Sequence, residues 1–412
     1  MPTKQTTVSE HLASSYFMSS STGSGKKGSG LRIIVTNPFV WPYIRRGSER
    51  LLNDLAEYLA AQGHRVTVMA MAPEESDEKR NGVRYRLLRY GPDSRFRQLN
   101  RCHYFAFYLQ PLFSEIEADV VYCLNYFDAF AAIKAKRKYG LTYKVIFQAV
   151  GIPTRKYFRA VPLDRWFINT VLGEADKVVA LSNFAYQRLS HEFSCYSVVL
   201  HPPVFTESYS AQLHNSINEN NDTPLILFVG DVCEPRKGAA LLCMAFIVIK
   251  KTLPDARLVF TGNVSESALK ALLSIPGIEG LQDSIEFYGV GDVNDLPALY
   301  QSATVTVLPA VWEAFGMVLV ESLAAGTPVV GVRHGGITDI IEEGNVGYLF
   351  DPGHFSVASE NVSGLVDSIF KTIALTSDEN LSGRCRVHAM KFGWEKLGPE
   401  YEQMIIDIAT AK

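Results

Sequence analysis

Short, continuous apolar runs alternate along the chain with segments whose apolar residues recur at helical spacing. The first run, residues 31–35 (LRIIV), is typical of a strand that is buried on both faces of a parallel sheet. Leu51, Leu55 and Leu59 then recur on one face of a helix, and residues 65–69 (RVTVM) form the next run. Strand, helix and strand in this order predict a right-handed βαβ unit.

Further strand-like runs alternate with helical segments in both halves of the chain. They cover residues 119–122, 144–147, 177–181, 225–229, 256–260, 285–288, 305–308 and 328–331. Alternation of this kind predicts a doubly wound α/β fold. A chain of 412 residues is too long for one ordinary core, so we expect two Rossmann-like domains.

The polar stretches set the expected borders of these domains. Residues 1–30 are rich in Ser, Thr and Gly and predict a flexible tail, and residues 206–223, rich in Asn and Ser, predict a linker. The first domain is expected over 31–205 and the second over 224–390. Residues 391–412 carry apolar side chains at near-helical spacing and predict a C-terminal helix.

The bulk composition indicates an ordinary soluble, cytoplasmic protein. The net charge of -3 gives no whole-molecule attraction to nucleic acid. The six cysteines show no short repeated spacing, which argues against a zinc site and a disulfide scaffold. No apolar run reaches the roughly 18 residues that a membrane-spanning helix requires.

The strongest chemical signal is EAFGMVLVE at residues 313–321. Glu313 precedes a helix and Glu321 lies inside it, on an otherwise apolar segment that must be buried. An ionised carboxylate taken out of water costs several kcal/mol unless it is paired, so Glu321 needs either a ligand or an interior Lys or Arg. Gly316 lets a ligand approach the backbone, and the start of the helix offers free amides to a phosphate or a sugar hydroxyl.

A second signal, GDVCEPRKG at residues 230–238, directly follows the first strand of the second half. Arg236 and Lys237 would lie where a diphosphate binds, with charge-assisted hydrogen bonds of roughly 1.5–3 kcal/mol each. A Pro-Arg-Lys-Gly turn is also compatible with a solvated surface loop. The glycines in Gly335-Gly336 and in residues 289–291 are by themselves no more than turn signals.

Taken together, the strand followed by Pro-Arg-Lys-Gly, then Phe-Thr-Gly at 260–262, the two spaced glutamates and AAGTPVV at 324–330 resemble the family-four glycosyltransferases of GT-B fold. The resemblance covers nearly all of residues 31–412 and is most specific in 224–350. The nucleotide-binding loop looks most like that of phosphatidylinositol mannosyltransferases. Two Rossmann-like domains facing a central cleft are therefore expected, with the C-terminal helix crossing back to the first domain.

The resemblance implies roles for individual residues. Glu313 would hold hydroxyls of the donor sugar, Glu321 the ribose diol, and Arg236 and Lys237 the leaving diphosphate. The remaining donor contacts would come from Gly47, Gly262, Val290, Gly291, Phe315, Gly316, Met317 and Val318. The family implies retention of configuration and no metal, because cations of the protein offset the charge of the leaving group.

Two positions depart from the family pattern. Many relatives carry an arginine where this chain has Asp231, and a histidine where it has Gln148. A glutamine can hydrogen-bond the donor sugar but cannot share a charge, so Gln148 joins Glu313, Arg236 and Lys237 as a candidate catalytic residue with reduced capacity.

These observations predict transfer of a hexose from a UDP- or GDP-linked sugar to a hydroxyl of a glycan or glycolipid, with no further cofactor. Two alternatives stay open, a sugar phosphorylase on the same scaffold and a non-catalytic nucleotide-sugar or glycan-binding subunit. A dinucleotide oxidoreductase is disfavoured because neither half has a G-x-G-x-x-G turn after its first strand.

The acceptor side has the weakest sequence signal. Cations and aromatics mix at residues 95–108 and 155–167. These stretches could meet a membrane surface or an anionic, lipid-linked acceptor, or they could be a core with a solvated face. Peripheral membrane contact is therefore an open expectation.

Overall fold

The computed structural model describes residues 30–91, 99–210, 223–289, 296–356 and 358–411. Two compact units divide the chain. The first holds the residues up to His201 together with Leu397–Lys412, and the second holds Pro202–Lys396. Each unit is an α/β domain built on its own sheet.

Within the described ranges, the first unit contains eight strands and six helices ahead of His201. The strands are β1 (Arg32–Phe39), β2 (Arg65–Ala72), β3 (Ser76–Arg80), β4 (Val83–Arg89), β5 (Val120–Cys123), β6 (Lys144–Ala149), β7 (Lys177–Ala180) and β8 (Val198–Val199). The helices are α1 (Gly47–Ala61), α2 (Arg101–Leu112), α3 (Tyr126–Tyr139), α4 (Arg155–Ala160), α5 (Pro162–Glu174) and α6 (Asn183–Phe193).

The strand order of the first sheet is β3-β4-β2-β1-β5-β6-β7-β8. All neighbouring strands are parallel except β3 and β4, which are antiparallel. The apolar runs form the central strands because helices cover both faces, and Phe105, Phe130 and Phe167 are fully buried in the core between sheet and helices. The order reverses between β1 and β5, which marks the carboxyl ends of these two strands as the ligand-binding edge of this unit.

The described part of the second unit repeats the architecture with six strands. They are β9 (Leu225–Val229), β10 (Arg257–Thr261), β11 (Ile285–Tyr288), β12 (Val305–Leu308), β13 (Val329–Val332) and β14 (Gly347–Phe350). Its helices are α7 (Thr206–Ser210), α8 (Ala239–Ile249), α9 (Glu266–Leu273), α10 (Leu296–Ser302), α11 (Met317–Ala325), α12 (Val362–Leu375) and α13 (Leu381–Ala389).

The second sheet is parallel throughout, in the order β11-β10-β9-β12-β13-β14. Stacked rings of Phe260 and Phe287, with centroids 5.0 Å apart, hold β10 and β11 together, and Phe228 packs beside them on β9. The reversal falls between β9 and β12, so the loops that leave these two strands border the predicted ligand edge.

The border between the units differs from the expected linker. It lies at His201 and Pro202, and α7 already belongs to the second unit, while residues 211–222 lie outside the described part of the chain. The polar composition indicated a linker over 206–223, but residues 206–210 form a helical turn whose Thr206 and Tyr209 are buried.

A last helix, α14 (Trp394–Thr410), begins in the second unit and belongs to the first from Leu397 onward. It approaches α1 closely, since a Cβ added at Gly398 would lie 2.6 Å from the ring of Tyr58. Glu402 bonds His64 at 3.1 Å, so polar as well as apolar contacts fix α14 in the first unit.

None of the helices in the described ranges combines the length and the apolarity of a membrane-spanning segment.

Candidate active site

Two loops at the switch point of the second sheet carry three of the four predicted catalytic residues. Arg236 and Lys237 follow β9 in a single turn of 3-10 helix, and Glu313 lies in the loop between β12 and α11. Since β9 and β12 are neighbours in the sheet, residues 76 apart in sequence come into contact at its edge.

Gly238 makes the close approach of these loops possible. It adopts φ 79, and a Cβ there would lie 2.5 Å from the carbonyl oxygen of Pro309. The amide of Val311 donates to the carbonyl of Arg236 at 3.0 Å. The glycine of the Pro-Arg-Lys-Gly signal therefore joins the cationic loop to the glutamate loop, a role that a freely solvated turn would not have.

Lys237 and Arg236 share the Glu313 carboxylate. The Lys237 ammonium lies 2.6 Å from Glu313 Oε2 and an Arg236 guanidinium nitrogen lies 3.6 Å from the same oxygen. The side chains of Lys237 and Glu313 are only 18% and 15% exposed, which shields the pair from solvent. Arg236 also forms an ion pair with Glu234, at 2.6 Å.

Burial works to raise the pKa of Glu313, but the charge and hydrogen bond of Lys237, followed by Arg236, outweigh it and hold the pKa below the ordinary value. Glu313 is therefore an ionised hydrogen-bond acceptor at neutral pH. A diphosphate that draws Lys237 and Arg236 toward itself would leave the carboxylate oxygens to accept from sugar hydroxyls.

Glu321 lies inside α11 and is almost fully buried, with 4% exposure. The Tyr300 hydroxyl, from α10, donates to Glu321 Oε2 at 2.9 Å. The sequence left open a ligand or an interior cation as partner, and the structure supplies a buried tyrosine. A neutral hydroxyl offsets part of the cost of burying a carboxylate.

Gly316 sets the start of α11. It has φ 106, a left-handed conformation that favours glycine, and its carbonyl accepts the first hydrogen bond of the helix from the Leu319 amide at 2.9 Å. The Phe315 amide hydrogen-bonds the Glu313 carboxylate, and the Phe315 ring packs edge-on against Phe392. Met317 and Val318 are partly exposed at this helix start.

The paired glycines after β13 do more than form a turn, because they pack against the backbone of the glutamate loop. The Gly336 amide donates to the Glu313 carbonyl at 2.8 Å. A Cβ at Gly335 would lie 2.4 Å from that carbonyl oxygen, and one at Gly336 would lie 2.1 Å from the carbonyl oxygen of Ala314. This loop therefore presses against the backbone on which Glu313 is held.

Gly262 and Asp231 join the exits of β9 and β10. A Cβ at Gly262 would lie 2.1 Å from the carbonyl oxygen of Gly230. The Asp231 carboxylate accepts from the Cys233 amide at 2.9 Å and from the Asn263 side chain at 3.1 Å. Asp231, which departs from the family pattern, thus links the two loops through hydrogen bonds. The predicted contacts Val290 and Gly291 lie outside the described residues.

In the first unit, Gln148 is fully buried on β6. Its amide oxygen accepts from the Tyr122 hydroxyl at 2.9 Å, and its amide nitrogen donates to the Tyr401 hydroxyl of α14 at 2.7 Å. A contact between Gln148 and a sugar would require this network to open. Gly47 is the exposed first residue of α1, which follows β1 at the carboxyl edge of the first sheet.

Asp128, which lies beneath the switch point of the first sheet, is not among the site residues predicted from the sequence. It is fully buried in the first turn of α3, and the Thr36 hydroxyl at the end of β1 donates to its Oδ2 at 2.6 Å. Burial raises the pKa of Asp128 to about 8, so the carboxyl group is protonated at neutral pH. Its one sequence signal was its place three residues after the helix-capping Asn125.

The mixed stretch at 155–167 divides between core and surface. Phe158 and Phe167 are buried, whereas Tyr157 and Trp166 are about half exposed, at 48% and 49%. The exposed cations of this stretch are Arg155, Lys156, Arg159 and Arg165. Part of this stretch is therefore core and part is an exposed cationic face, and residues 95–97 of the other stretch lie outside the described ranges.

Among the described residues, no group of three or more His, Cys, Asp or Glu side chains is arranged to hold a metal ion.

Two family models match adjacent segments of the chain. Residues 45–208 match "Glycosyltransferase Family 4" and residues 210–368 match "Glycosyl transferases group 1". The second segment contains the loops around Glu313 and Lys237.

Curated relatives match over comparable segments. A D-inositol 3-phosphate glycosyltransferase of Paenarthrobacter aurescens is 30% identical over 47% of this chain and 46% of its own. A phosphatidyl-myo-inositol mannosyltransferase of Propionibacterium freudenreichii is 26% identical over 58% and 59%. The chain spans about half the length of the curated relatives it matches.

Solved structures match over nearly the whole chain. Sucrose-phosphate synthase from Thermosynechococcus elongatus has a TM-score of 0.80 at 19% identity and covers 93% of this chain and 100% of its own. Anabaena HepE, solved in complex with UDP-glucose, has a TM-score of 0.68 at 16% identity and covers 92% and 100%. At these identities the likeness establishes the fold.

The two largely parallel sheets and these neighbours define a protein of GT-B fold. The two adjacent family matches agree with the resemblance to family-four glycosyltransferases that the spaced glutamates and the cationic loop indicated.

Proposed function

We propose that the chain transfers a hexose from a nucleoside-diphosphate sugar to a hydroxyl of a glycan or glycolipid acceptor, with retention of configuration and without a metal ion. The observation that carries the proposal is the shared contact of Lys237 and Arg236 with Glu313 at the carboxyl edge of the second sheet.

The chemistry follows from what each group can do. Lys237 and Arg236 would neutralise the negative charge that develops on the departing diphosphate, which is the part of the reaction that a protein stabilises most strongly. Glu313, released from the cations, would accept hydrogen bonds from the sugar. The amides at the start of α11 would hold the distal phosphate or a sugar hydroxyl.

Glu321 would hold the ribose, since a carboxylate can accept from both hydroxyls of a diol. Tyr300 keeps one of its oxygens oriented inside an apolar helix. The names of the relatives favour an acceptor related to inositol that carries a phosphate or a phosphodiester, and the UDP-glucose complex of HepE favours a uridine donor.

Thermal unfolding with UDP, GDP and ADP, and with their hexose conjugates, tests the donor site. Ligand at about a hundred times its dissociation constant adds roughly 2.7 kcal/mol of stability. We expect one base to stabilise the wild type and to stabilise Glu321→Gln far less. No shift with any nucleotide would contradict the proposal, whereas a shift with phosphate alone would favour the phosphorylase.

Turnover then separates an enzyme from a binding subunit. The donor selected by the melts is incubated with inositol phosphates and with phosphatidylinositol, in EDTA and in Mg²⁺. We expect equal rates in both and an anomeric proton of unchanged configuration in the product. Tight donor binding without product on any acceptor would favour the non-catalytic alternative.

We further propose that α4 and α5 contact an anionic membrane surface. Arg155, Lys156, Arg159 and Arg165 are exposed on these helices beside the half-exposed rings of Tyr157 and Trp166, a combination suited to anionic headgroups.

Sedimentation with vesicles tests this contact. Vesicles of phosphatidylcholine with 30% phosphatidylglycerol are compared with pure phosphatidylcholine. At about 1 kcal/mol per cation, Arg155→Gln, Lys156→Gln and Arg159→Gln together should weaken binding to the anionic vesicles by roughly 100-fold. Equal sedimentation with both vesicles, or with both proteins, would identify a merely solvated face.

A further inference from the structure

Trp312, the residue directly before Glu313, has an unusual backbone. Its φ is 58, in the left-handed region where a side chain with a Cβ crowds the backbone and glycine is preferred. A large aromatic residue keeps such a conformation only when its surroundings hold it there. Two aromatic side chains from elsewhere in the second unit provide those surroundings.

His334, in the loop after β13, holds Trp312 in two ways. Its Nδ1 accepts a hydrogen bond from the Trp312 amide at 3.4 Å. Its ring packs edge-on against the Trp312 ring, with centroids 4.8 Å apart at 81°. Phe355 closes the cluster, 4.9 Å from His334 and 6.0 Å from Trp312.

The backbone on either side of Trp312 and Glu313 is held as well. The Val311 amide is bonded to the Arg236 carbonyl, and the Glu313 carbonyl accepts from the Gly336 amide. The turn that aims the Glu313 carboxylate at Lys237 is therefore fixed from the cationic loop on one side and from residues 334–336 on the other. Within residues 334–336, the His334 side chain bonds Trp312 directly.

We propose that His334 is a positioning residue for Glu313. It stabilises the left-handed conformation of Trp312, and this conformation sets the direction in which Glu313 leaves the loop. Only the expected effect of His334 on turnover rests on the proposed function. Its geometric part, that His334 maintains the Trp312 conformation and the contact between Lys237 and Glu313, stands independently.

Three variants test it. His334→Ala removes both the acceptor and the ring, His334→Asn keeps an acceptor close to the position of Nδ1, and Arg333→Gln changes the exposed neighbour, which pairs with Glu343, as a matched control. With the donor identified above, we expect His334→Ala to lower kcat by about 10- to 100-fold, the effect of misplacing a group by up to about 1 Å. The donor KM should change less than about twofold.

Rescue distinguishes positioning from general support of the fold. His334→Asn should recover most of the lost kcat, and Arg333→Gln should retain the wild-type kcat. If His334→Asn is as slow as His334→Ala, or if the loss lies wholly in KM, or if His334→Ala turns over normally, the inference is overturned.

Crystal structures of the wild type and His334→Ala provide a readout that needs no activity. We expect residue 312 to leave the left-handed region in the variant and the 2.6 Å contact between Lys237 and Glu313 to be lost. Retention of both would overturn the inference even if turnover fell. A wild type that turns over no nucleotide sugar would instead contradict the proposed function and leave this structural comparison decisive for His334.

Discussion

Replacement of Asp128 by asparagine tests the most strongly perturbed carboxyl group of the first unit. Asp128 lies beneath the point where the first sheet reverses its order, with the Thr36 hydroxyl as a buried hydrogen-bond donor. Because burial raises its pKa to about 8, it is neutral at pH 7 and adds no negative charge beneath the edge where the proposed anionic acceptor would bind. Asparagine has nearly the same shape and cannot titrate.

The magnitude follows from the raised pKa. Below about pH 4 the Asp128 carboxyl group is protonated in both the folded and the unfolded state, so the stability that its raised pKa contributes is fully present. As the pH rises from the ordinary value of 3.8 toward 8, the unfolded chain releases the proton while the folded chain keeps it. Stability therefore falls by about 1.4 kcal/mol per pH unit, or about 4 kcal/mol by pH 7, and then levels off above pH 8.

Urea unfolding at pH 5, 6, 7 and 8 measures this slope. Hydrogen exchange of peptides from β1 and β5 reports on the first unit alone, which is needed because a chain of two units need not unfold in one step. Between pH 5 and pH 7 we expect the free energy of unfolding of the wild type to fall by about 3 kcal/mol relative to that of Asp128→Asn.

Asp378→Asn serves as the control. The pKa of Asp378 is held below its ordinary value by the amide of Asn380 and by Arg384, so its contribution is lost only as the pH falls below about 4. It should follow the wild type between pH 5 and pH 8. Parallel curves for the wild type and Asp128→Asn would refute a neutral, desolvated Asp128.

Three further predictions concern the site and the last helix. Lys237→Gln should lower kcat by about 100-fold or more in initial-rate assays, because it removes charge stabilisation of the leaving group; an unchanged kcat would exclude that role. Glu321→Gln should raise the donor KM by about 10- to 100-fold with kcat nearly constant, since a charged hydrogen bond to the ribose is lost; a fall in kcat alone would contradict the ribose contact. Tyr401→Phe should destabilise the first unit by about 1–3 kcal/mol, because the buried Gln148 amide loses its acceptor, and faster hydrogen exchange in β6 and α14 would reveal it. Exchange as slow as in the wild type would show that this bond contributes little.

Patterns within a few residues were enough to predict most strands. The run at 225–229 coincides with β9, and those at 285–288 and 305–308 with β11 and β12, because a strand covered on both faces is apolar throughout. β3 was missed because its sequence, SDEKR, has no apolar position and forms a strand only by pairing with β4. An edge strand of this kind is specified by its neighbour.

Period, composition and short motifs are local properties of the chain, and they were enough to predict two doubly wound domains, the resemblance to family-four glycosyltransferases and the charged groups in EAFGMVLVE and Pro-Arg-Lys-Gly. Tertiary structure decided which groups meet. Lys237 reaches Glu313 because β9 and β12 are adjacent in the sheet. The Gln148 amide donates its hydrogen bond to the hydroxyl of Tyr401, which is 253 residues away in sequence. It also decided that Asp128 is neutral and Glu313 ionised, since a carboxyl's pKa depends on burial and on neighbouring charges that arrive from distant segments.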